Sequence, residues 1–187
     1  PHANCGALYA HELRQLKPVS ASQGMMLETI AEVDAHRLSP DKDPSRRLAT
    51  LEAAGDERIP FTTGLLVGIG DNRLDRLEAL LEIRESHLRH GHIQEVIIQN
   101  FLPKKRTLMS SWLPANDEEF HWTIAAARLI LPDSIHLQAP PNLSENPIEL
   151  LNFGIDDFGG ISPVTLDHVN PERAWPQIEH LAQLLSK

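Results

Sequence analysis

IPFTTGLLVGIGD, residues 59–71, decides how this chain is read. From Phe61 to Ile69 both alternating faces are apolar or β-branched except at Gly64 and Gly68. That is the pattern of a strand covered on both sides in a parallel sheet. Gly68 and Gly70 then allow a sharp turn and a close approach of the backbone to another group. Glycines at the carboxyl end of a parallel strand stand where α/β folds collect their ligands. A dinucleotide fingerprint is not met, because Gly68-Ile69-Gly70 runs into Asp71-Asn72-Arg73 with no third glycine. The P-loop pattern fails as well, and Asp71 would repel a phosphate.

Outward from this strand, strand and helix signals alternate over short links, giving about five βα units and an α/β fold. Upstream, Leu8 to Lys17 predicts a short helix stopped by Pro18, and Val19 to Glu28 a strand. In SPDKDP, Asp43 caps a helix with Pro44 in its first turn; Leu48, Leu51 and Ala54 form its apolar stripe and Gly55 its end. Downstream, Asp71 or Asn72 caps a helix running to His90, with Leu74, Leu77, Leu81 and Leu88 near one face and Gly91 as terminator. Glu95 to Phe101 is the next buried strand. Asn116 and Glu119 resemble a capping box, and the helix behind them places Phe120, Ile124, Ala127 and Leu131 on one side. Ile135 to Ala139 is a further strand, Ser144 to Phe153 a short helix ended by Gly154, Asp157 to Ser162 a last strand, and Pro176 to Leu185 a closing helix. A complete barrel needs eight such units in roughly 250 residues, so 187 residues hold part of one or an open doubly wound sheet.

The formal charge of −9 and pI near 5.5 argue against a nucleic-acid surface, and Lys104-Lys105-Arg106 is too short a run to contradict them. No segment approaches the ~18 apolar residues of a membrane span, and no signal peptide is evident. The single Cys5 excludes an internal disulfide framework and a multi-cysteine metal site, and suits a reducing cytoplasm. His87, His90 and His92 are a weak zinc lead; neighbouring Arg84 and Arg89 favour a solvated helix end. Trp112, Trp122 and Trp175 are scattered, as packing residues are.

The strongest chemical signal is the polar residues at strand ends. Glu28, Asp71, Gln99-Asn100, Gln138 with Asn142, and Asp156-Asp157 all fall at or just after the carboxyl ends of predicted strands. In a barrel such positions converge on one mouth. They suggest a polar small-molecule ligand rich in hydrogen-bonding groups, with Phe61, Phe101, Phe153 and Phe158 available for stacking.

Six blocks carry a resemblance over nearly all 187 residues: ASQGMMLE, SPDKDPSRRL, IPFTTGLLVGIGD, GHIQEVIIQNF, IHLQAPPNLS and DDFGGISPVTLDHVNPERAWP. In this order and spacing the chain resembles the C-terminal part of radical S-adenosylmethionine enzymes, in particular the branch that builds the deazaflavin chromophore of a redox coenzyme. GLLVGIGD is similar to their G-x-I-x-G-x-x-E strand, with Leu66 for the usual Ile and Asp71 for the usual Glu. The resemblance implies a (β/α)8 barrel of which strands four to eight are present, as one domain over residues 1–187. It implies that Gly68, Ile69 and Gly70 pack against the adenine of S-adenosylmethionine. Glu28 would hydrogen-bond its ribose or amino-acid part, and Arg47 would face its carboxylate, which suits a guanidinium.

The same resemblance implies a lyase-type synthase acting on a hydroxybenzyl-ribitylaminouracil adduct. Gln99, Asn100, Gln138 and Asn142 are the substrate candidates on strand-end position. These enzymes hold a 4Fe-4S cluster on C-x3-C-x2-C; that motif does not occur here and Cys5 does not replace it. No metal ligand is therefore expected in this chain, which reads as a portion or as half of a split enzyme. The expected partners are a missing N-terminal half or the sister radical enzyme that makes the substrate. A sister enzyme of hydroxybenzyl-transfer or menaquinone type, or a non-catalytic α/β subunit completing a partner's barrel, are the alternatives.

Overall fold

The glycine-ended strand stands at the middle of the sheet. The computed structural model describes residues 1–162 and 164–185, so Pro163 in the last of the six blocks lies outside the described residues. Among these, five strands form one parallel sheet in the order β1-β2-β3-β4-β5: His2–Ala3, Ser22–Gly24, Phe61–Val67, Ile93–Asn100 and His136–Gln138. Around them run α1 (Ala10–Leu16), α2 (Pro44–Asp56), α3 (Arg73–His90), α4 (Asp117–Ile130), α5 (Leu150–Phe153) and α6 (Ile178–Leu185).

β3 and β4 pair from Phe61 to Val67, with one register shift between Phe61 and Thr62. Alternation then sorts their side chains. Phe61, Leu65, Val67, Val96 and Ile98 are buried in the main core with residues of the flanking helices. Thr62, Gly64 and Leu66 share the opposite face with Glu95, Ile97 and Gln99, and the Thr62 hydroxyl donates to Glu95 Oε2 at 2.9 Å. Gly64 is demanded by this geometry: a Cβ there would lie 2.0 Å from the Ile97 carbonyl oxygen.

Local signals placed most helices correctly. Asp43 accepts from Arg46 N at 3.0 Å at the start of α2. Asn72 caps α3 by accepting from Leu74 N and Asp75 N, and Gly91 ends it at φ 64°. Gly154 stops α5 at φ 113°.

Several expectations fail for physical reasons. Gly55 does not end α2; it lies inside the helix, where a Cβ would meet the His90 ring at 2.5 Å, and Arg58 takes the left-handed φ of 51° instead. The four leucines expected on one face of α3 are not its core face, Leu77 being half-buried. Arg76, Ala79, Leu80, Ile83 and Ser86 face the core, whereas Leu74, Leu81 and Leu88 are exposed. Asn116 caps α4, yet Glu119 leaves the box to pair with Arg73 and Arg76. Of Val19 to Glu28 only Ser22–Gly24 is strand, followed by a single bridge between Glu28 and Leu65. The strand expected over Asp157 to Ser162 reduces to one bridge, Gln138 to Asp157, while His2–Ala3 adds an edge strand that two residues could not announce. No helix among the described residues is long and apolar enough to cross a membrane.

Candidate functional site

At the carboxyl end of β2 the chain reaches Glu28 at φ 63°, a left-handed conformation costly for a residue with a Cβ. Glu28 N donates to the Gly64 carbonyl at 2.8 Å and Leu66 N donates to the Glu28 carbonyl at 3.0 Å, so β3 holds this turn in place. The side chain is buried between two cations and an imidazole. His36 Nε2 lies 2.7 Å from Oε2, Lys42 Nζ 2.8 Å from Oε2 and 3.0 Å from Oε1, and an Arg47 guanidinium nitrogen 3.3 Å from Oε1. Burial alone would raise the carboxyl, but hydrogen bonds from His36 and Lys42 and the charge of Arg47 outweigh it and hold its pKa at about 2.

Arg47 is no surface charge. It is 6% exposed and donates to the Met26, Leu27 and Asp41 carbonyls as well as pairing with Glu28. α2 points it inward because Asp43 fixes the helix start four residues earlier. His36 and Lys42 come from the loop between β2 and α2 and line a cleft of about 410 Å3 with Val33, Asp34 and Arg37. Neither was foreseen: Lys42 stood within SPDKDPSRRL, whereas His36 carried no signal at all.

The predicted adenine strand ends beside this loop. Gly68 and Gly70 take φ of 97° and 112°; a Cβ on Gly68 would lie 2.9 Å from Ala115, and one on Gly70 would touch Val33 at 3.6 Å. Ile69, Val33 and Phe101 form a second apolar cluster at this end, with Leu66, Trp112 and Ala115 against it. The structure therefore brings Glu28, Arg47, Gly68, Ile69 and Gly70 to one end of the sheet, joined through Val33.

The four substrate candidates divide. Gln99 and Gln138 lie on the sheet face opposite the main core, with Gln138 Nε2 donating to Asp157 Oδ2 at 2.9 Å. Asn100 points to the other face and donates to the Leu143 carbonyl at 3.0 Å; Asn142 donates to Asp167 Oδ2 at 2.9 Å. Both amide oxygens are buried without a partner. Asp71, expected as the family carboxylate, is a structural group: its Oδ2 is 2.7 Å from Arg76 Nε, and Arg76 continues to Glu119 Oε2 at 2.9 Å and the Thr123 hydroxyl at 3.0 Å.

The aromatic expectation is corrected in part. Phe61 is fully buried on the helix side, and Phe153 already stacks on His121 at 4.2 Å. Two of the three tryptophans have ring contacts of the packing kind, Trp112 edge-on to Phe101 and Trp122 beneath Arg73. The histidine lead dissolves: His87 contacts Ser134, His90 contacts Glu52, and burial pushes His92 down to about 4 as its ring meets the Leu51 carbonyl. Among the described residues no group of three His, Cys, Asp or Glu is placed to hold a metal, and Cys5 is exposed and alone. The residues present do not fit an iron-sulfur cluster.

The fold is shared with HydG, a maturase of the FeFe-hydrogenase, at TM-score 0.72 and 16% identity over 84% of this chain and 36% of that one. HydG from Carboxydothermus hydrogenoformans gives 0.70 and 18% over 99% and 46%. The chain thus shares with these two structures a parallel α/β fold, of which the described residues hold five strands. No family model matches it.

By sequence it is 49% identical, over 98% of its length, to the 7,8-didemethyl-8-hydroxy-5-deazariboflavin synthase of Methanoculleus marisnigri, and 50% identical over 100% to that of Methanosarcina barkeri. The FO synthase of Mycobacterium tuberculosis matches at 48% over 100% of the chain and 23% of that protein. The chain is thus similar to these deazariboflavin synthases along almost its whole length. It spans about half the length of the curated archaeal relatives, 55% and 57% of the two named.

Proposed function

We propose that this chain forms the S-adenosylmethionine end and one substrate wall of a deazariboflavin synthase. The observation that carries the reading is the near-half identity to such synthases along 98–100% of the chain. The convergence of Glu28, Arg47 and the Gly68-to-Gly70 turn at one end of the sheet supports it.

Gly68 and Gly70 would let the backbone lie flat against the adenine while Ile69 and Val33 exclude water around it. Arg47 would orient the amino-acid carboxylate, with Glu28 keeping the guanidinium aimed. When bound and reduced, S-adenosylmethionine supplies a hydrogen-abstracting carbon radical. Gln99 and Gln138 would hold the polar part of a hydroxybenzyl-ribitylaminouracil adduct, and Asn100 and Asn142 offer free amide oxygens to its donors. Positioning is the protein's share of such chemistry. An electron source would come from the part of the barrel that corresponds to the relatives' N-terminal portion, since Cys5 offers no cluster site.

The test is anaerobic incubation of the intact protein with S-adenosylmethionine, a reductant and the adduct, following deazaflavin fluorescence and 5′-deoxyadenosine. Both products are expected, with the loss of both in Gly68→Val. Turnover that proceeds equally without S-adenosylmethionine would sink the reading.

A further inference from the structure

A carboxylate offers about four lone-pair positions, two on each oxygen. At Glu28 all are taken: Oε1 by Lys42 and Arg47, Oε2 by His36 and Lys42. A ligand hydroxyl could enter only by displacing one of three cationic or ring donors from a side chain that is 13% exposed. Glu28 is therefore the hub of the site and not its contact surface.

The group left unsatisfied is one bond network further out. His36 has a side chain 8% exposed, its Nε2 spent on Glu28, and a buried Nδ1 with no partner. In the neutral ring a proton on Nε2, fixed by the carboxylate, leaves Nδ1 as a bare acceptor. The ring lines the cleft between residues 31 and 44, and Val33 of that cleft packs on Ile69 and touches the Gly70 position. A buried acceptor without a donor is costly unless something fills the role. Asp34, Glu32 and Arg37 also line the cleft, but all are exposed and serve solvent.

We propose that His36 Nδ1, set by Glu28 through Nε2, is the polar contact of this site and accepts a hydrogen bond from a ribose hydroxyl of a bound adenine nucleoside. Lys42 completes the arrangement as a positioning residue: it bridges both Glu28 oxygens and so fixes the carboxylate plane that aims the imidazole. The inference rests on the nucleoside reading above and moves the ligand contact from Glu28 to a residue eight positions later.

The experiment is equilibrium binding of S-adenosylhomocysteine, adenosine and 2′,3′-dideoxyadenosine to the intact protein, with 15N NMR of the His36 ring. His36→Phe is expected to weaken the two hydroxyl-bearing probes about 3- to 10-fold and to leave the dideoxynucleoside unchanged, the size of one neutral hydrogen bond. His36→Gln, which restores an acceptor oxygen, should recover part of the loss. The ring signals of the ligand-free protein should show Nε2 protonated and Nδ1 bare, a result that does not depend on how well a variant folds.

Equal weakening of all three probes, a protonated Nδ1, or unchanged binding in His36→Phe would overturn the His36 assignment while leaving nucleoside binding intact. Failure of the wild-type protein to bind any of the three would overturn both readings.

Discussion

Two acidic side chains sit at the ends of neighbouring strands, and they live differently. Asp71 follows β3, has no exposed side-chain surface, and is gripped by Arg76, which reaches on to Glu119 and Thr123 of α4. Glu28 follows β2, is nearly as buried, and is gripped by His36, Lys42 and Arg47. The Asp71 partners belong to helices packed on the sheet. Two of the three Glu28 partners belong to an irregular loop around a cleft. A carboxylate tied to helices is held by the packing of the sheet; one tied to a loop is held by a segment that can shift more easily.

Breaking the architectural half should cost most. Arg76→Met removes the cation that, among the described residues, is ion-paired with Asp71, and leaves a buried carboxylate uncompensated. We expect about 3–5 kcal/mol lost in urea unfolding, the usual cost of orphaning a buried charge. A loss below about 1 kcal/mol would contradict the structural role assigned to Asp71.

Next is Glu28→Gln, read as a function of pH. The folded carboxyl sits at about 2 against an ordinary 4.5, so its stabilisation is fully present above 4.5 and fades as pH falls toward 2. The gap between wild type and variant should approach roughly 3 kcal/mol at neutral pH and close across that window. A gap that stays constant between pH 5 and 2 would contradict the hub, since nothing would then be titrating.

Gly64→Ala strikes both halves at once, because Gly64 accepts from Glu28 N while its strand leads into Asp71. A Cβ at 2.0 Å from the Ile97 carbonyl must push β3 from β4, at about 1–3 kcal/mol. Thermal unfolding measures it, and a neutral result would mean the strands part more easily than their ladder implies. The mildest change is Asp43→Ala, which removes the cap of α2 beside Lys42 at about 1 kcal/mol. It should also weaken S-adenosylhomocysteine binding by loosening the loop, while the same cap lesion at Asn72 of α3 should not.

Much of the fold was written in local chemistry. Asp43-Pro44, Asn72 and Gly91 each fix a helix end within a turn of themselves, and the apolar run from Phe61 could only be a covered strand. What stayed hidden depends on distant partners. α3 is apolar on two faces, so its leucines looked like the core until Arg76, an arginine, took an inward position against Asp71. Gly55 looked like a helix end because nothing nearby revealed the His90 ring pressed on it. In the candidate site, Glu28 and Arg47 were singled out through the resemblance and do lie together, whereas His36 reaches Glu28 across a loop with no period to betray it.

The sheet order has a consequence for how the molecule assembles. Each strand pairs only with its neighbours in the chain, so every βα unit docks on the one made just before it. Loop closure stays short and no strand waits for a distant partner, the condition under which topology slows folding least. Register is handed from strand to strand, much as in a solenoid, and an error at β3 would propagate outward in both directions.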